Sequence, residues 1–215
     1  MKIKKGVRKA FVIIVVVLFL GLVGLGIYFG MDLFKSVSGD NNKTVVVEKN
    51  EDYKYNLEDD APKAYKKMFK ELLKELEKDE LEEEKYVELI SKLFILDFYH
   101  LDNKMSKNDI GGVQFVLGSY QQDFVFEASE TVYKYIEHNV YKDRKQELPK
   151  VKEVTIVDTL KEKYKYNDYS DDNAYVVKAN VEYEKDLGYP TTVTIKLIHT
   201  KTEKDKIKLE VYYMK

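Results

Sequence analysis

Asp97 is the residue of this chain best placed by its neighbours to move a proton. It stands between Leu96 and Phe98 in a long apolar stretch and is followed at once by Tyr99 and His100. A carboxyl buried there would have its pKa raised by desolvation, as a group that abstracts protons near neutrality requires. Tyr120 completes the set of Asp97, Tyr99, His100 and Tyr120 that could line a cavity and exchange protons. The alternative is an Asp97 that faces water or bonds a neighbouring backbone group. Metal chemistry has less to work with. His100, His138 and His199 are far apart and show neither of the paired-histidine spacings of a zinc site. His138 is expected near a helix C-terminus, where the helix dipole favours its charge. Asp168, Asp171, Asp172 and Asn173 could hold calcium weakly in a loop, or could simply build a hairpin turn, which favours Asp and Asn. Cysteine is absent, which excludes thiol chemistry and a disulfide framework. Gly111 and Gly112 are a bare pair without the further spaced glycine of a nucleotide fingerprint, and they read as a turn. No cofactor is implied, and the expected class is non-enzymatic.

Helices must position these residues. Pro62, preceded by Asp59 and Asp60, predicts a helix start. Tyr65, Met68, Phe69, Leu72, Leu73 and Leu76 then recur at spacings of three and four, which predicts an amphipathic helix to about Lys78. A second helix is predicted from about Leu81 to Asp102. Its apolar face, from Tyr86 to Leu101, is too wide for a surface helix, so it should be covered on most sides. Turn residues at Asn108, Asp109, Gly111, Gly112 and Gly118 flank a short apolar piece, Val113 to Leu117. A third helix is predicted over roughly Ala128 to Asn139, with Val132, Tyr135 and Ile136 inward.

From Val151 the period becomes two. Four such stretches, around Val154, Val177, Ile195 and Leu209, are separated by the turn-like NDYSDDN, DLGYP and TEKDK, which predicts an antiparallel meander. The expected fold class is α+β, with helices laid across a curved four-stranded antiparallel sheet that is apolar on one face. This order of elements over residues 61–215, with LDFYHLDNKMSKNDIGGVQFV at 96–116 as its helix-then-turn passage, resembles the nuclear-transport-factor-2-like cone. With the preceding anchor described below, it is similar to the VirB-eight-like assembly subunit of type IV secretion and conjugation systems. The resemblance implies a cavity between sheet and helices, into which Asp97 would point. It leaves activity open, because one cone hosts isomerases, dehydratases, sensors and scaffolds.

The anchor is read from Phe11 to Met31, twenty-one residues without a charge. As a helix rising about 1.5 Å per residue, this run spans the roughly 30 Å core of a bilayer. Lys2, Lys4, Lys5, Arg8 and Lys9 precede it, so the positive-inside bias predicts a cytoplasmic tail at 1–10 and an extracytoplasmic C-terminal part at the cell surface. A cleaved signal peptide is the competing reading. Its apolar region is shorter and ends at small residues, whereas Ser36 and Ser38 stand well past this run. Residues 32–60, charged apart from Thr44 to Val47, are expected to be an extended linker. Val45, Val46 and Val47 could instead add a strand to a sheet or to a partner.

Thirty-six basic against 38 acidic residues give a formal charge of -2, which argues against nucleic acid as a partner. Arg8 and Arg144 are the only arginines, a bias that points to an AT-rich bacterial genome. Eighteen tyrosines and no tryptophan fit either strand stabilisation or a docking face. Gly26 and Gly30 form one small-xxx-small step that would let two membrane spans approach closely, although glycine is common in such helices. The expected partners are therefore membrane lipid, other membrane or envelope proteins, and a second copy of the chain.

Overall fold

The computed structural model describes residues 45–215. The predicted tail, the membrane span, Gly26, Gly30 and the first part of the linker lie outside the described residues. Among the described residues no helix is long and apolar enough to cross a membrane.

The elements run β1 (Val46–Asn50), β2 (Tyr55–Glu58), α1 (Lys63–Leu76), α2 (Glu83–Tyr99), two 3-10 turns (Val113–Phe115 and Gly118–Tyr120) and α3 (Gln121–Glu130). Four strands follow, β3 (Val151–Tyr166), β4 (Tyr169–Tyr183), β5 (Thr192–Lys201) and β6 (Ile207–Met214). The chain is thus α+β, and its curved sheet is an antiparallel meander in the order β3-β4-β5-β6. Tyr175, Val177, Ala179 and Val181 of β4, Val193, Ile195 and Leu197 of β5, and Leu209 and Val211 of β6 are buried on one face, as the period of two requires. Helix α2 packs against both α1 and β3. Its residues Leu89, Ile90, Leu93, Phe94, Ile95, Leu96 and Phe98 are all buried, so it runs through the core rather than over it.

The linker expectation fails beyond residue 45. Strands β1 and β2 form an antiparallel hairpin, and Tyr53, Tyr55 and Leu57 are buried in the core. The folded unit therefore begins well before residue 61. The cause is an i, i+2, i+4 alternation of Tyr53, Tyr55 and Leu57 that stands among charged neighbours. The third helix is also displaced. It occupies Gln121–Glu130 with Phe124 and Ala128 inward, one turn apart. It stops where Thr131 turns its hydroxyl back to the Glu127 carbonyl at 2.6 Å. Val132 and Ile136 still pack on the core, but from turns, and Tyr135 is 78% exposed. His138 consequently follows a turn and not a helix end. The expected loop at 167–173 contracts to Asn167–Asp168, with Asn167 left-handed at φ 50°, and Asp171, Asp172 and Asn173 belong to β4.

Candidate functional site

The last turn of α2 presents a backbone carbonyl that Gly111 approaches closely. A Cβ on Gly111 would lie 2.1 Å from the Asp97 carbonyl oxygen, so only glycine fits. Gly112 has φ 77°, and its N–H donates to Asp97 Oδ2 at 2.7 Å. Lys104 Nζ donates to Asp97 Oδ1 at 2.6 Å. Tyr133 closes the same corner, donating to the Phe98 carbonyl at 2.6 Å and accepting the Gly111 N–H at 3.0 Å. The glycine pair read as a turn is thus the piece that lets the 110–113 segment lie against α2.

Lys104 is 6% exposed. Burial alone would lower its pKa, but the Asp97 charge overrides this and holds the ammonium protonated, above the usual lysine range. Beside the pair lies a cleft of about 200 Å³ that Glu58, Asp60, Asn103 and Asp109 help to line. Burial raises the Glu58 carboxyl, and repulsion from Asp60 adds to the rise. Burial likewise raises Asp60. Asp97 therefore reaches a polar cleft, one with no lining residue from β3–β6, and both of its oxygens are engaged by cation or N–H.

The other three predicted residues do not join it. Tyr99 is buried edge-on against Phe98 at 4.9 Å, and burial pushes its hydroxyl up to about 12. His100 Nδ1 accepts the Val151 N–H at 3.1 Å, tying the end of α2 to the start of β3, and burial lowers its pKa. Tyr120 donates to Glu127 at 3.0 Å across the start of α3. Four residues chosen for a common cavity occupy four surroundings, because at the end of α2 only Asp97 faces the cleft and Tyr120 belongs to a separate turn.

A second cluster escaped the sequence. His199 of β5 has Nδ1 at 2.8 Å from Asp171 Oδ2 and Nε2 at 3.2 Å from Glu83 Oε1, so the ring lies between two carboxylates. The Tyr175 hydroxyl donates to the same Glu83 oxygen, and Lys161 Nζ lies 5.2 Å from the centre of the Tyr175 ring. The Tyr175 hydrogen bond holds Glu83 below the usual carboxylate range, with His199 helping. Burial would raise Asp171, but the backbone and ring N–H groups of His199 outweigh it and the carboxyl is lowered. The group fastens the first turn of α2 to β4 and β5. Asp171 is buried here and not in a calcium loop, and among the described residues no grouping of three or more His, Cys, Asp or Glu could hold a metal ion. The available signal was the strand period, which sets Asp171 on the face of Tyr175.

Lys2, Lys4, Lys5, Arg8 and Lys9, read as fixing orientation, lie outside the described residues, as do Gly26 and Gly30. No protein-family model, no curated protein and no solved structure matches this chain.

Proposed function

We propose that this chain is a single-pass membrane protein whose extracytoplasmic α+β domain acts by contact, as a non-enzymatic binding or assembly element of an envelope complex of the secretion or conjugation kind. The observation that carries the reading is the closed state of Asp97. With Oδ1 on Lys104 and Oδ2 on the Gly112 N–H, the carboxylate that interrupts the apolar run of α2 is committed to holding the fold. Apolar surface, by contrast, is left open, with Phe126 68%, Tyr135 78% and Tyr141 87% exposed. The uncharged run at 11–31 behind five basic residues supports the membrane anchor and its orientation. The element order supports the likeness to cone-shaped assembly subunits.

The test is protease added to intact, wall-stripped cells carrying a C-terminal epitope. Loss of the epitope, with the full chain resisting alkaline extraction from membranes, is the expected result. A protected epitope, or full-length chain in the soluble fraction, overturns the reading. The second reading, a small-molecule-binding or proton-transferring domain, is favoured by the polar cleft beside Asp97. It requires a ligand that displaces Lys104 from Asp97, and it predicts that Asp97→Asn abolishes ligand binding while leaving membrane localisation unchanged.

A further inference from the structure

The described residues contain four sheet edges, and three of them are blocked. The free side of β2 is capped by Gln114, whose side chain accepts the Asn56 N–H at 2.7 Å and donates to the Asn56 carbonyl at 3.2 Å. On β6, the Leu117 N–H donates to the Val211 carbonyl at 2.8 Å, and Val116 forms a parallel bridge with Val211. Strand β3 is broken by three register shifts, and it carries Lys152, Lys161, Lys163 and Lys165, all devices that discourage edge pairing. Strand β1 pairs with β2 alone. Its one register shift, between Val46 and Glu48, goes with three consecutive valines that are 57% (Val45), 47% (Val46) and 55% (Val47) exposed. Glu48 and Lys49 follow in β1, but the three-valine stretch ahead of them is an apolar β-branched edge, a template for another strand.

From this contrast we infer that β1 is the docking edge for β1 of a second copy of the same chain, the two strands adding to one another across a two-fold axis. The inference rests on the membrane-anchor reading, because that reading selects the occupant. Only the thirteen residues 32–44 separate the uncharged run from Val45. Fully extended at about 3.3 Å each, they reach roughly 43 Å. Two spans side by side thus hold two β1 edges at an effective concentration on the order of millimolar, whereas a free partner must be recruited from solution. An isologous contact also closes on itself, which leaves no apolar edge to propagate.

Absence of cysteine from the chain makes the test clean. Val47→Cys is introduced into the full-length protein, and membranes are oxidised with copper phenanthroline. A disulfide-linked species of twice the mass should form at least about ten-fold more than with Val157→Cys, a control on the equally exposed but broken β3 edge (55% exposed). Val45→Cys serves as a second reporter, and adding Val46→Lys to Val47→Cys should return the product to the control level. Monomer only, in protein that fractionates with membranes, overturns the strand pairing while leaving the anchor standing. A product of another mass overturns the choice of a second copy. Recovery of the intact chain from the soluble fraction overturns both the anchor reading and the confinement on which the pairing depends.

Discussion

Removing the carboxylate of Asp97 should cost more than removing its cation, and the structure fixes the order. Lys104 has 8% of its side chain exposed against 23% for Asp97, so the ion stranded by Asp97→Ala is the less hydrated of the two. Breaking a buried pair by deleting one partner costs about 3–5 kcal/mol, because the remaining charge keeps its desolvation penalty without its compensation. Asp109, Glu58 and Asp60 still act on Lys104, which places the loss near the bottom of that range, about 3 kcal/mol. Asp97→Ala also orphans the Gly112 N–H. Lys104→Met leaves a partly hydrated aspartate still bonded to that N–H, at a cost of about 1–2 kcal/mol. Asp97→Asn/Lys104→Met should recover part of the larger loss, since neither ion is then left alone. The assay is urea unfolding of the full chain in mild detergent, followed by far-ultraviolet circular dichroism, because the protein lacks tryptophan. If Lys104→Met proves the more destabilising, or if Asp97→Ala costs under about 1 kcal/mol, Asp97 is not the structural partner argued here and the proton-transfer reading regains its best residue.

Gly111→Ala sets a Cβ against the Asp97 backbone, 2.1 Å from its carbonyl oxygen, and should cost about 3 kcal/mol by urea unfolding, whereas Gly118→Ala enters open space and should stay within about 0.5 kcal/mol. Gln114→Ala uncovers the β2 edge and removes a 2.8 Å contact with the Tyr65 hydroxyl; a loss of about 1–2 kcal/mol and faster amide exchange at Asn56 are expected. Glu83 and Asp171 have folded pKa values depressed below their ordinary 4.5 and 3.8, so the stability they contribute is complete above those values and drains away as pH falls through the folded ones. His199→Gln removes the ring that links the two carboxylates and should make the fall in stability below about pH 4 shallower, as read from unfolding midpoints between pH 2 and 5.

The sheet and the two long helices were legible because each advertises itself through a long apolar period. Tyr65, Phe69, Leu72 and Leu76 line one stripe of α1, and Val177, Ala179 and Val181 alternate through β4. Short elements lack that redundancy. Strand β2 has only four residues, and its buried Tyr55 and Leu57 sit among Lys54, Asn56 and Glu58, which gave the segment the look of a charged tether. The third helix shifted because Val132 and Ile136 keep a helical spacing while lying in turns. Asp97 was singled out correctly as an anomaly in an apolar helix, but its partner was not. Lys104 belongs to a polar connection, and nothing local marks it as buried. Tyr99 and His100 stand beside Asp97 in sequence, which does not determine the side from which a side chain leaves a helix, and Tyr120 comes from a separate turn.

The distribution of ion pairs fits the proposed docking role. Most pairs are exposed, as with Lys54 and Glu203 at 70% and 81% exposure, and such contacts contribute about 0–1 kcal/mol each. Three carboxylates that are buried or largely so each join two elements. Glu75 of α1 accepts the Glu82 N–H at the start of α2, Asp97 of α2 holds the 104–112 connection, and Asp171 with His199 ties β4 and β5 to Glu83. A carboxylate held by fixed N–H donors and a cation is stabilised as an anion, and any reaction that protonates it loosens the joint it makes. A docking domain requires its buried polar groups to stay fixed while its exposed edge changes partners. The edge that remains open among the described residues is β1, and under the proposed membrane anchor it is the edge where confinement would most favour pairing.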